Sequence, residues 1–373
     1  MLSQVEWGEY KIIDIFDVKN TQCILSRDVS PKANGIPYLC AGSENNAVSA
    51  YIDYDTKYLD QGNCIFIGGK TLVVTYQKDN FYSNDSHNLA LYLKSTTNAT
   101  RATYLFLASC VYQGLKHKYT WGDSISYKKI QADKIKLPTK NGEIDFDFME
   151  KFVAELEAQR VAELEAYLTA TGLKDYELTV AEQKALEDFA NLQWATFNLE
   201  DLFGKSTRGK RLKSDDRIAG DLPFVTAGEA DEGISAFISN KVEIFEANTT
   251  TIDMFGSAKY RNYKYGADDH VAVVHTEKLS KFAAIFTTAA IHKSSHAGQF
   301  DYSRNFYAKD ADELNISLPV HNNEPDYLAM EILISAIQKL IIKDVVQYSD
   351  RKIAATKQCC DTNKGMRNGI QYI

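Results

Sequence analysis

No apolar run in the sequence approaches the roughly 20 residues that a bilayer-spanning helix needs, so no membrane helix is expected. The first residues, Met1-Leu2-Ser3-Gln4-Val5-Glu6, have neither a basic start nor an apolar stretch, which argues against a secretory leader. The six cysteines (Cys23, Cys40, Cys64, Cys110, Cys359 and Cys360) include no C-x-x-C pair, and the adjacent Cys359 and Cys360 are poorly placed to bond each other. They are expected to be reduced, small hydrophobes in a cytoplasmic protein. Positive charge is also in deficit. Forty-two Lys and Arg against 50 Asp and Glu give a net charge of −8, which excludes a uniformly basic nucleic-acid coat but leaves room for a local basic face.

Catalytic signatures are missing as well. The six prolines include no Pro-Pro pair, so the Asp/Asn-Pro-Pro-aromatic tetrapeptide of base-amino methyltransferases is absent. Pro325-Asp326 is not followed by the acidic-x-Lys of a metal-dependent nuclease and fits a helix start. Gly69-Lys70-Thr71 looks like the end of a phosphate-binding loop, but Cys64 stands where its first glycine belongs, and a hairpin turn is the better reading. His292 and His296 have the spacing of zinc ligands, yet Ser294, Ser295 and Gly298 suggest a loop with polar surface histidines. Asp85-Ser86-His87 and Asp268-Asp269-His270 lack a nucleophile elbow and suit structural hydrogen bonds. The glycosylation triplets at Asn98 and Asn315 mean nothing in a cytoplasmic chain. No metal, no cofactor and no catalytic residue is expected.

What is present is a repeat. The 373 residues are 45% hydrophobic and 12% aromatic, enough for two ordinary folded domains. Trp7 recurs as Trp194, 187 positions on, and Ile15-Phe16 recurs as Leu202-Phe203. Ser49-Ala50-Tyr51-Ile52 answers Ser235-Ala236-Phe237-Ile238 at 186, His87 answers His270 at 183, and Leu137-Pro138 answers Leu318-Pro319 at 181. The offset shrinks in one direction only, as loop deletions in a second copy require. Each copy runs from a Tyr-, Val-, Ile- and Thr-rich region, with one helix near 100–115 or 278–291, into a long helical stretch. The fold class is therefore α+β. Two similar domains, 1–145 and 193–320, are expected, with helical segments at 146–192 and 321–373.

The long helices carry apolar residues at three- and four-residue steps. Met149, Phe152, Leu156 and Leu164 form one seam, and Met330, Ile334, Ile337, Ile341 and Val345 form the other. Packing one seam on the other gives antiparallel helices, coiled-coil-like, in a pseudo-two-fold arrangement. At 1.5 Å per residue, such a helix would separate two domains by roughly 35 Å, about one turn of B-DNA.

Cations cluster in the domains, whereas the first helix and its connector are acidic. From 67–87 and 116–129 the candidate DNA contacts are Lys70, Thr71, Tyr76, Lys78, Asn84, Lys116, Lys118, Trp121, Tyr127 and Lys128. From 205–217 and 256–267 they are Arg208, Lys210, Arg211, Lys213, Lys259, Tyr260, Arg261, Tyr263 and Lys264. Cations neutralise phosphates while Asn, Thr and Tyr among them reach base edges. The competing reading is ordinary surface charge.

These residues carry a resemblance. Trp7 with Ile15-Phe16, Gly35-Ile36-Pro37-Tyr38, and Ile135-Lys136-Leu137-Pro138 stand in the same order as Trp194 with Leu202-Phe203, Asp221-Leu222-Pro223-Phe224, and Ile316-Ser317-Leu318-Pro319. In that order, twice, the chain resembles the DNA-specificity subunits of type I restriction–modification systems and of related BcgI-like type II systems. The resemblance implies a non-catalytic reader of double-stranded DNA. Each domain would read half of a bipartite site, and the helices would set the spacer and dock methyltransferase subunits. A restriction or translocase subunit would be a further partner. In one respect the chain departs from the family: the connector from Leu173 to Leu192 is more acidic than expected beside DNA, and this charge places it against a protein partner. The alternatives are a protein- or glycan-binding scaffold and a single-chain modification enzyme.

Overall fold

A computed structural model describes residues 1–94 and 99–368, with side chains of the last helix as far as residue 355. Asn98, the side chains of Cys359 and Cys360, and the end of the segment expected at 321–373 lie outside the described residues. The chain divides into two compact units. One comprises Met1–Leu164 with the segment from Ile353 onward, and the other Glu165–Lys352.

In the first unit, strand Glu6–Lys11 pairs antiparallel with Lys134–Lys140, and Glu143–Ile144 completes this small sheet. A four-stranded sheet runs in the order Phe16–Asn20, Leu89–Leu93, Cys64–Ile67, Val74–Gln77. A three-stranded sheet follows the order Val48–Ile52, Pro31–Leu39, Tyr82–Ser83. The middle strands of the larger sheet read as continuous apolar runs because both of their faces are covered. Ile65, Ile67, Leu89 and Leu91 bury one face against Leu107 and Val111 of helix Arg101–Leu115. Cys64, Phe66 and Ala90 bury the other against Leu39 and Phe81. Each of the Ile, Leu, Val and Phe side chains among them contributes about 1.5–3 kcal/mol when fully buried.

The second unit repeats this frame. Its four-stranded sheet has the order Thr207–Arg208, Val271–Val274, Thr249–Asp253, Ala258–Arg261, and its three-stranded sheet Ile234–Ile238, Ala219–Val225, Gly266–Ala267. Helix Lys281–Ser295 matches Arg101–Leu115. Threonines 249–251 stand where the first unit has Cys64, Ile65 and Phe66, and hydrogen bonds satisfy them. Thr250 Oγ1 lies 2.6 Å from Thr288 Oγ1, and Thr249 Oγ1 lies 2.8 Å from the Tyr265 hydroxyl.

Each unit contributes to a long helix that starts at an aspartate cap. Asp145 accepts from the Phe148 N–H at 2.9 Å before helix Phe146–Ala170, and Asp326 accepts from the Ala329 N–H at 2.9 Å before helix Tyr327–Asn368. Among the described residues, no helix is long and apolar enough to cross a membrane.

The expected seams need correcting. Met149 is buried in the core of the first unit with Phe152 against it, and Met330 is buried in that of the second. Both are domain residues, because the first turns of each helix lie on the sheets. On the second helix the buried line is Met330, Leu333, Ala336, Val346 and Ser349. Ile334 and Leu164 are half-buried, whereas Leu156, Ile337, Val345 and above all Ile341, 73% exposed, face outward. Within the second unit, the end of the first long helix meets the second through Glu165, which accepts from the Ser349 hydroxyl at 3.4 Å.

The connector is corrected in one respect too. Its helix Val180–Asp188 packs by Glu182 onto the second long helix, where Ser335 Oγ donates at 2.6 Å and Lys339 Nζ at 3.1 Å. Burial pushes the Glu182 carboxyl up, but bonds from Ser335, Thr179 and Lys339 outweigh it and hold the pKa at about 2. At least this part of the acidic connector is neutralised within the chain.

Candidate nucleic-acid interface

The densest cationic segment is Lys205–Lys213, and its backbone is fixed to the second unit at three points. Thr207 and Arg208 pair with Val273 and Ala272. Gly209 is needed for close approach, since a Cβ there would stand 1.6 Å from the Ala267 carbonyl oxygen. The Leu212 N–H donates to Asp268 at 3.2 Å, and the Arg217 guanidinium donates to the Leu212 carbonyl. The side chains of Arg208, Lys210, Arg211 and Lys213 are left exposed. None of the four has an ion-pair partner among the described residues. A rigid backbone with four unneutralised cations is suited to phosphates.

In the first unit the candidate cations are spread along the chain and not gathered in one segment. Lys78, Lys116 and Lys128 are exposed and without an ion pair among the described residues, and Tyr127 is exposed beside Lys128. Lys118 is exposed but bound to the buried Asp133 at 2.9 Å. Gly68–Val73 is the expected hairpin turn, with Leu72 N–H donating to Gly68 O and Gly68 N–H to Val73 O. Lys70, at its tip, pairs with Asp85 at 3.3 Å, and the Thr71 hydroxyl donates to the Ala41 carbonyl. Asn84 is half-buried and accepts from Asn88. Burial works to raise the Asp85 carboxyl, but bonds from His87 and Lys70 pull it below its ordinary value. Trp121, 76% exposed, borders the adjoining cleft of about 340 Å³ with Cys40, Lys70, Asn84 and Asp85.

Several candidates are engaged within the chain. Arg261 is only 1% exposed. Its Nε donates to Thr251 Oγ1 and its Nη1 to the Tyr263 hydroxyl, both at 2.9 Å, so it cannot reach a phosphate. Lys259 is half-buried and held by Glu229 at 3.2 Å, and Lys264 pairs with Glu246 at 2.9 Å. Tyr76 and Tyr260 are equivalent structural latches. Their hydroxyls donate to Asn63 at 3.0 Å and Asn248 at 2.9 Å, two asparagines with positive φ that turn the chain into the central strand. The ring of Tyr76 also stacks on Tyr104. Gln77 and Arg261 are equivalent too. Gln77 donates to Asn46 O, and an Arg261 guanidinium nitrogen lies beside Gly233, so each backs a turn that contains consecutive positive-φ residues.

The histidines singled out in the sequence make bonds within the chain. His292 and His296 stand at the end of helix Lys281–Ser295, where a loop was expected. His292 Nδ1 accepts from the Ala258 N–H, and His296 Nδ1 lies 3.1 Å from the Phe255 carbonyl oxygen. His87 and His270 pair with the neighbouring Asp85 and Asp269. Burial pushes the Cys64 and Cys110 thiols up to about 12, far from a reactive thiolate.

The repeated frame has counterparts among known proteins. The family model for the type I restriction modification DNA specificity domain matches twice, over residues 4–166 and 191–361. The specificity subunit S.BcgI of a type II restriction enzyme from Heyndrickxia coagulans is 23% identical over 354 residues, covering 92% of this chain and 97% of that one. The crystal structure of a type I restriction–modification S subunit from M. genitalium superposes with a TM-score of 0.63 at 14% identity, over 96% of this chain and 95% of that one, and so shares the fold. With two matches that together span most of its length, the chain belongs to the type I restriction modification DNA specificity domain family and carries that domain twice.

Proposed function

We propose that the chain is the non-catalytic, DNA-reading subunit of a cytoplasmic restriction–modification complex, each half reading one part of a bipartite duplex site. One observation carries this reading: a single sheet-and-helix frame is built twice, and both copies present exposed cations without an ion pair among the described residues. The recognition domains are placed at 1–145 and 193–320. The helical segments at 146–192 and 321–373 set the spacing and dock methyltransferase subunits, with a restriction or translocase subunit as a further partner.

An apolar groove in each unit supports the docking role. In the first unit it is lined by Trp7, Phe106, Phe152 and Leu156, and in the second by Trp194, Phe286, Leu333 and Ile337. Exposed apolar surface of this extent suits a protein partner. In this reading the chemistry belongs to the partner, and the chain itself needs no cofactor.

The test is selection from a pool of 40-base-pair duplexes with a randomised centre, using the chain together with its co-expressed methyltransferase, followed by sequencing of the bound fraction. Two short motifs at a fixed separation are expected. A single undivided motif, or no enrichment, overturns the reading, and methyl transfer by the chain alone overturns its non-catalytic part.

A further inference from the structure

Trp121 and Tyr302 are the two most exposed aromatic side chains among the described residues, at 76% and 85%. They stand 181 positions apart, the offset that relates Leu137 to Leu318, so they occupy the same place in the two copies. The backbone confirms the equivalence. Thr120 and Asp123 exchange N–H···O bonds in both directions, and so do Asp301 and Arg304. Each aromatic is the first of the two residues at the corner of that turn.

Both turns are braced from behind. In the first copy, Lys129 holds Asp123 and the Ser124 carbonyl, and the Tyr119 hydroxyl donates to Asp133. In the second, Asp301 accepts from the Ser303 N–H at 2.7 Å and its hydroxyl at 2.6 Å. Phe300 behind it packs edge-on against Phe306 at 4.9 Å. Next to each ring is the turn of the central hairpin: Lys70 and Thr71 beside Trp121, and Phe255, 5.1 Å from the Tyr302 ring, in the second copy. A large ring held mostly in water on a braced turn contributes little to the fold. Two such rings, at matching positions in diverged copies, call for a common ligand with a flat apolar face.

We propose that Trp121 and Tyr302 are paired aromatic fingers, one per half, that lie against nucleobases of the duplex and help each half discriminate its sequence. This rests on the DNA-reading function proposed above. Nucleobases supply the flat face, and a ring that wedges at a base step favours the sequences that open most readily. The cations nearby, Lys70 and Arg304, are paired with Asp85 at 3.3 Å and Asp310 at 3.4 Å.

The experiment repeats the duplex selection with Trp121→Ala, Trp121→Phe and Tyr302→Ala, each in complex with the methyltransferase. Trp121→Ala should flatten base preference in one of the two motifs and Tyr302→Ala in the other, each weakening binding to the wild-type consensus by about tenfold. Trp121→Phe should restore much of the loss. The dependence of binding on salt should stay as in the parent, because no phosphate contact is removed. Unchanged motifs in both variants overturn the inference, as does loss of the methyltransferase from the complex with both motifs intact, which would make the rings protein contacts. If the parent itself enriches no bipartite motif, the DNA-reading function falls first and this inference with it.

Discussion

Replacing Arg208, Lys210 and Arg211 together by glutamine removes three exposed cations that have no ion pair among the described residues, so the fold should not register the change. DNA should. Each phosphate neutralised on a B-form duplex adds about −0.9 to the slope of log affinity against log salt, so three lost contacts flatten that slope by about 2.7. Between about 50 and 200 mM salt, the parent should then lose about 40-fold more affinity than the triple variant. The measurement is fluorescence anisotropy of a labelled duplex titrated at four or five salt concentrations, with thermal unfolding of both proteins alongside. Because phosphates carry no sequence, the loss should be the same for a consensus duplex and a scrambled one. An unchanged slope at unchanged melting temperature would falsify the assignment of this segment to the backbone of DNA. A loss confined to the consensus duplex would move the segment from phosphates to base edges.

Arg261→Met should lower the melting temperature of the second unit, since it abandons Thr251 and Tyr263, while leaving the salt slope intact; a flattened slope would return Arg261 to the DNA surface. Glu182→Gln should destabilise the second unit by about 2 kcal/mol at neutral pH. Its carboxyl sits at about 2 against an ordinary 4.5, so the stabilisation is complete above 4.5 and fades as pH falls toward 2. Denaturant titrations of parent and variant should therefore converge in acid, and a constant gap down to pH 2 would refute the linkage. Exchanging residues 193–320 for the matching segment of another family member should change one motif of the selected site; alteration of both would refute modular reading.

Much of the frame was legible in the residues. The shrinking offset between copies located both halves, the Gly-rich turn was read from local pattern, and the helices expected near 100–115 and 278–291 stand at Arg101–Leu115 and Lys281–Ser295. Membership of the family followed from order, not from any one motif. The phase of the long-helix seam was not legible, because Ile334, Ile337 and Ile341 compete with Leu333 and Ala336 for the buried line, and only the fold decides which side faces chain. The alternation in Lys259-Tyr260-Arg261 misled for a related reason. On a strand, alternate side chains leave by opposite faces, so no strand can offer all three to one ligand. Tyr302 was missed because its neighbours are not cationic enough to draw attention, although the 181 offset from Trp121 would have found it.

Gln77 and Arg261 have one further implication. The same slot beneath an irregular turn holds a neutral amide in one half and a guanidinium in the other, and the turn above the guanidinium contains Asp231 and Glu232 where the other has Asn45 and Asn46. Turn and plug have thus drifted as matched sets. Anyone transplanting the 228–233 turn into the first half must consider the arginine with it, because its guanidinium fills the space beneath Gly233 and is held there by Thr251 and Tyr263.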